Sequence, residues 1–423
     1  MATMKDHMGR PVVAVTGIGI VTSLGIGKAD NWAALTSGTS GIHPITRFPV
    51  EHLSTRISGM VDFLPSSRKG ASALTYELAE KAAHEAVAES GFGLEDFGGP
   101  LFLASPPMEL DWHDRFALYN SGEGDGEPDR LLEVARGLNS FDLFETAQFG
   151  SIAEHLADHF GTRGLPITLS TACASGATAI QLGVEAIRRG EADRALSIGA
   201  DGSATAEALI RFSLLSALST SNDNPAKASK PFSKDRDGFV LAEGSAALVL
   251  ESLESARARG ATILGILSGC GEKADDFHRT RSKPDASPAI AAVKAALADA
   301  GLAEDRIGYI NAHGTSTPEN DKMEHLALST VFGEALRSIP VSSNKSMIGH
   351  TLSAAGAIEA AFSLMTMREG VLAPTINYDN PDPAIPLDVV PNTSRAAEVE
   401  TVLSNSFGFG GQNTCLVMAR EPV

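Results

Sequence analysis

Two stretches of the chain open alike. "PVVAVTGIGIVTSLG" (residues 11–25) is an apolar run entering a glycine turn, and "ATILGILSGCGEKAD" (residues 261–275) echoes it in kind. After each, short apolar strands alternate with helices. The first cycle holds a helix with periodic Leu74, Leu78, Ala82 and Val87, then the strands "PLFLAS", "LPITLSTAC", "RALSIGA" and "GSAALVLES". The second holds an Ala-rich helix over 286–300 ended by Gly301, the strand and turn "IGYINAHG", and a helix carrying Leu352, Ile358, Phe362 and Met365. This alternation predicts an α/β protein with parallel sheets covered on both faces. No linker-like stretch separates the cycles, so two fused halves are expected, residues 11–258 and 259–423. A chain of 423 residues is long enough for two core units.

Several function classes fall away early. Gly17-Ile18-Gly19 invites a dinucleotide-binding reading, but Thr22 stands where the third glycine should be. The net charge of −18 disfavours nucleic acid as a partner. No apolar run approaches the roughly 18 residues of a membrane span, and the charged start "MATMKDHMGRP" lacks the apolar core of a secretory signal. Three scattered cysteines, Cys173, Cys270 and Cys415, suggest neither a disulfide framework nor a zinc site, and fit a reducing, cytoplasmic location. His155 and His159 have metal-like spacing but no third ligand, so they read as a helix flank and no metal is expected. Residues 121–130, "SGEGDGEPDR", read as a solvated acidic loop.

Cys173 in "STACASGATAIQLG" sits between small residues at a strand-to-helix junction. It is either a small buried hydrophobe or a nucleophile whose thiol pKa the helix amides lower. Two histidines in glycine-flanked turns favour the second reading. His313 follows the strand ending "YI", and His350 precedes the last long helix, positions at which α/β proteins build sites. A histidine at a helix N-terminus is pushed toward its neutral form and can donate to a developing oxyanion.

"TACASG", "NAHGTSTP", "SSNKSMIGHTLSAAGAIE" and "NSFGFGGQN", in this order, resemble the β-ketoacyl-acyl-carrier-protein synthases of the elongating Cys-His-His type. The resemblance runs from about Pro11 to Ala419. It implies the thiolase fold, two similar halves in five αβαβα layers, usually as a homodimer. It implies that Cys173 takes the acyl chain as a thioester. His313 and His350 then bind the malonyl thioester carbonyl and support decarboxylation, and the enolate attacks the acyl-enzyme. Lys345 matches the lysine that orients the network and Glu359 the buried acid supporting it. Thr315 and Thr317 match the threonines that bind the phosphopantetheine arm, which arrives on the acyl carrier protein, so no cofactor of the enzyme's own is implied. Phe409 matches the gating phenylalanine whose N–H, with that of Cys173, forms an oxyanion hole. Phe407 either lines the same pocket or packs in the core.

Two segments depart from the family pattern. Residues 105–116, "SPPMELDWHDRF", replace a glycine-rich turn near the acyl pocket, with Met108 the candidate pocket residue. Residues 201–208, "DGSATAEA", replace a glycine-glycine-acid pattern. The first departure keeps open a specialised homologue making unusual, very long or polyketide-like chains. The carrier protein is acidic and needs a basic dock. Arg68 and Lys69 lie in the region the family uses, or simply start a solvated helix.

Overall fold

The computed structural model describes residues 4–120, 136 and 141–423; the acidic stretch 121–130 lies outside them. Eleven strands carry the argument. In the first half, β1 (Val13–Thr22), β2 (Leu101–Ala104), β3 (Ile167–Leu169), β4 (Arg194–Asp201) and β5 (Gly244–Ser252) lie in the order β3-β2-β4-β5-β1. In the second, β6 (Gly265–Ala274), β7 (Tyr309–Asn311), β8 (Pro340–Ser342), β9 (Asp388–Val389), β10 (Thr401–Phe407) and β11 (Gln412–Ala419) lie in the order β9-β8-β7-β10-β11-β6.

Leaving aside the edge strand β9, the two orders are the same. Each half has a parallel trio followed by two antiparallel strands: β2 runs parallel to β3 and β4, as β7 does to β8 and β10. β5 and β1, like β11 and β6, continue antiparallel. The halves join where Val13–Val15 of β1 pairs with Gly265–Leu267 of β6.

Helices make the remaining layers. α1 (Ala71–Ser90) covers β1, β5 and β4 from outside, and α3 (Ser287–Ala300) covers β6 and β11. Between the sheets lie α2 (Ser175–Arg188) and α5 (Ala355–Glu369), in contact with each other and with both halves; α4 (Pro318–Phe332) packs beside α3. This is the five-layer αβαβα arrangement of the thiolase fold. Every residue of α5 from Ala355 to Met367 is buried, Glu359 included, so the helix packs on all sides. α2 and α5 cross at two glycines. A Cβ on Gly176 would stand 2.6 Å from the Ala357 nitrogen, and one on Gly356 would stand 2.6 Å from the Ala177 nitrogen.

The first opening stretch does end in a turn, Ser23-Leu24, with Gly25 at φ +147° pairing back to Thr22. Gly17, Gly19, Gly269 and Gly271 do not form the turns that the sequence suggested. They lie inside β1 and β6, where the outer helices press on the sheet. A Cβ on Gly17 or Gly19 would come within 1.9 Å of the Ala86 or Ala82 carbonyl oxygen, and one on Gly269 or Gly271 within 2.2 Å of the Ala296 or Ala292 carbonyl oxygen. The same packing device recurs in both halves, and it accounts for Gly17-Ile18-Gly19 without a nucleotide.

Candidate active site

Cys173 sits on the turn from β3 into α2. Ala172 adopts φ +50°, in the left-handed region that an alanine enters only under constraint. Ser175 supplies the constraint: its hydroxyl accepts from the Thr171 N–H at 2.8 Å and donates to the Ala172 carbonyl at 2.6 Å. The thiol is thereby aimed at a cavity of about 720 Å³ lined also by His313, His350, Thr315, Thr317, Phe407 and Phe409.

His313 follows β7, and its position is held by an acid that the sequence reading missed. Glu324, on the inner face of α4, accepts the His313 and Gly314 N–H groups at 2.8 Å each, and Asn405 donates to it at 3.1 Å. The available signal was an acid spaced three and four residues from the buried Ala327 and Leu328, on the apolar side of a helix. His350 lies between the short helix Lys345–Ile348 and α5. Its N–H donates to the Val240 carbonyl at 2.7 Å and its carbonyl accepts from Ala242 at 3.0 Å. Leu352, at φ +44°, closes that turn.

The two imidazoles stand edge to face, with ring centres 5.3 Å apart. Lys345 Nζ donates to the His313 carbonyl at 2.7 Å and approaches His313 Nδ1 at 3.3 Å, and it is ion-paired with Glu359. The Leu352 N–H donates to His350 Nδ1 at 3.3 Å. With both Nδ1 atoms accepting, each ring carries its proton on Nε2. Burial first, and Lys345 second, hold both histidines well below the usual range, so both are neutral N–H donors at neutral pH.

The cysteine corrects the expectation of a lowered thiol pKa. Burial pushes Cys173 up to about 11, outweighing the Phe409 N–H and the Lys345 charge that act in the opposite direction. The resting group is a thiol. Alkylation of Cys173 by iodoacetamide should therefore climb about tenfold per pH unit from about pH 7 to about pH 9. A rate already level at pH 7, followed by mass spectrometry of the labelled peptide, would mean a pre-formed thiolate.

The other expected residues fall as follows. Lys345 and Glu359 form one fully buried pair. Thr315 and Thr317 share a hydroxyl hydrogen bond of 2.8 Å on the cavity wall, and Thr317 also caps α4 through Asn320. Phe407 both lines the cavity and packs against the core. Met108 lines a second cavity of about 360 Å³, which reaches Cys173 and Phe409 as well. Arg68 and Lys69 are exposed and line neither cavity. Arg279, Arg281 and Lys322 line the first cavity instead, all exposed and without ion pairs among the described residues. His155 and His159 lie on the exposed flank of the helix Ser151–Phe160, and Cys415 is buried in β11. Asp201 gives the second departing segment a role. It accepts from Ser203 and from the Ser353 N–H, tying the end of β4 to the turn after His350. Among the described residues no helix is long and apolar enough to cross a membrane.

Comparison with known proteins agrees with this geometry. Residues 119–256 match the model of the β-ketoacyl synthase N-terminal domain, and residues 264–379 that of the β-ketoacyl synthase C-terminal domain. The 3-oxoacyl-[acyl-carrier-protein] synthase 2 of Coxiella burnetii (strain RSA 493 / Nine Mile phase I) is 38% identical, over 96% of this chain and 98% of its own. The tetracenomycin polyketide synthase ketoacyl synthase alpha subunit of Streptomyces glaucescens is also 38% identical, over 99% of each chain. Among solved structures, a β-ketoacyl synthase from Burkholderia phymatum STM815 superposes with a TM-score of 0.84 at 33% identity, covering 97% of this chain and 99% of that one. A type II PKS acyl-carrier protein in complex with its ketosynthase bound to the hexaketide gives 0.85 at 31% identity, with the same coverage.

Proposed function

The chain belongs to the β-ketoacyl synthase family, and we propose that it condenses an acyl group held on Cys173 with malonyl-acyl-carrier protein, as in fatty-acid elongation. The observation that carries this reading is the convergence of one cysteine and two neutral imidazoles on a single cavity.

Cys173 attacks the acyl thioester of the first carrier, and the carrier's thiol leaves with the proton that the cysteine gives up. Malonyl-carrier protein then enters, and its carbonyl oxygen accepts from the Nε2–H groups of His313 and His350. Loss of CO₂ places negative charge on that oxygen, and the two donors stabilise it by a few kcal/mol each, about the worth of an oxyanion-hole donor. The enolate carbon attacks the acyl carbon, the 3-oxoacyl chain leaves on its carrier, and the cysteine sulfur regains a proton. Phe409 N–H, directed at the Cys173 sulfur, stabilises the oxyanion formed there. Lys345 and Glu359 are positioning residues that hold His313, as Glu324 does from the other side. No cofactor of the enzyme's own enters these steps, and the phosphopantetheine arm comes with the carrier past Thr315 and Thr317.

Residues 11–258 and 259–423 are the two halves, a division supported by the repeated strand order. A homodimer fits the edge position and half-exposed face of β3. Three free cysteines fit a cytoplasmic setting.

The carrier's acidic surface meets Arg279, Arg281 and Lys322 at the first cavity, in addition to or in place of Arg68 and Lys69. In a reconstituted assay of CO₂ release and 3-oxoacyl product, the Arg279→Glu/Arg281→Glu pair should raise KM for malonyl-carrier protein about tenfold or more. Turnover of malonyl-pantetheine, which has no protein surface, should hold. If Arg68→Glu/Lys69→Glu alone reproduces the effect, the dock lies beside α1. Absence of any 3-oxoacyl product from the wild-type protein would refute the condensing function.

A further inference from the structure

The second cavity is not a plain alkyl pocket. Pro106, Met108 and Phe212 supply apolar wall beside Cys173, but Asp111, Arg115 and Glu207 line the same space. These charged groups are incompletely satisfied. Arg211 grips both oxygens of Glu109 at 2.5 and 2.6 Å, which engages that carboxylate and holds it below the usual range. Arg115 is left with long contacts, 3.4 Å to Glu207 and 3.5 Å to Glu109. Its Nε is enclosed with no hydrogen-bond partner among the described residues. Among the described residues Asp111 accepts only from the Ala71 N–H, at 3.1 Å to one oxygen and 3.4 Å to the other, and burial pushes its carboxyl up.

We propose that this cavity selects acyl chains bearing an oxygen function, a hydroxyl or a keto group, over plain alkyl chains of the same length. The inference rests on the condensing function argued above. An alkyl chain entering here strips water from a guanidinium and a carboxylate and returns nothing to either. A chain hydroxyl accepts from the half-exposed Arg115 guanidinium and can donate to Asp111, and a keto oxygen accepts from Arg115 alone. Sites with such unpaired groups reject analogues lacking the matching polar atom more strongly than apolar pockets reject a missing methylene. All three of Met108, Asp111 and Arg115 lie in residues 105–116, where the chain departs from the family pattern.

The test offers the full chain an equimolar mixture of octanoyl-carrier protein and its hydroxyoctanoyl counterparts, substituted at successive positions along the chain. The acyl group trapped on Cys173 is then read by mass spectrometry. At least one hydroxyoctanoyl isomer should load about tenfold faster than octanoyl, the ratio expected of one hydrogen bond to a charged group. In Arg115→Met that ratio should fall toward unity. Equal or faster loading of octanoyl in the wild type overturns the inference, whether or not the variant folds. An undiminished ratio in a folded Arg115→Met also overturns it. If no chain of either kind adds mass to Cys173, the condensing function itself fails and takes this inference with it.

Discussion

Cys173→Ala is expected to lower condensation by at least about 10⁴-fold while leaving malonyl-carrier decarboxylation measurable. In the proposed mechanism the two activities separate because different side chains perform them. Only the sulfur can carry the acyl group between carriers, whereas CO₂ loss needs only stabilisation of the enolate oxygen. The imidazoles that supply it are held by Lys345, Glu324 and the Leu352 amide, none of which depends on the thiol. Cys173→Gln should do more. Its amide carbonyl stands where the acyl-enzyme carbonyl would, so decarboxylation should match or exceed the wild-type rate. Condensation surviving in the alanine variant would remove the nucleophile assignment. CO₂ release lost in both variants, with the fold intact by circular dichroism, would show that the histidines do not act apart from the sulfur. Cys270 and Cys415 line neither cavity, so a residual acyl label on them would mark chemistry outside this site.

Much of this site was legible in the sequence because its parts sit in local motifs. A cysteine before a helix, two histidines in glycine turns and a lysine five residues before His350 all keep their meaning within a few residues of chain. What escaped the reading depends on distant segments meeting. Glu324 is one acid among several in "PENDKMEH", and only the docking of α4 beneath the His313 turn distinguishes it. The direction of the Cys173 pKa shift is hidden in the sequence for a related reason. The helix amides are visible in the sequence, but the desolvation imposed by two sheets and a buried central helix layer is not. In the sequence the glycines inside β1 and β6 look like turn glycines, because a turn is their commonest use. Their actual neighbours, the carbonyls of α1 and α3, lie some 65 or 25 residues away in the chain. The polar wall of the second cavity likewise needs residues 105–116 brought against the helix Ala206–Leu214.

The buried ion pair gives the largest expected effect on stability. Lys345→Met removes the partner of a carboxyl that is fully enclosed and has one oxygen, Oε2, with no hydrogen bond among the described residues. Breaking such a pair costs about 3–5 kcal/mol, because a buried charge is left uncompensated. The cost should depend on pH in a definite direction. Burial already raises Glu359 to about 7 with Lys345 in place, and losing the lysine, which acts to lower it, moves it higher. A carboxyl whose folded pKa is raised stabilises the fold below its unfolded value and loses that contribution as pH climbs through the folded value. The deficit of Lys345→Met against the wild type should therefore be larger at about pH 8 than at about pH 6, read as denaturant midpoints. Lys345→Met/Glu359→Gln should regain most of the stability at pH 8 and lose the pH dependence. Its decarboxylation rate should stay down by about a hundredfold, the usual loss when one oxyanion donor is misplaced, because nothing then holds His313 Nδ1. A single variant equally unstable at both pH values would show that Glu359 remains ionised without its partner. A double variant with full activity would show that His313 needs no help from the lysine.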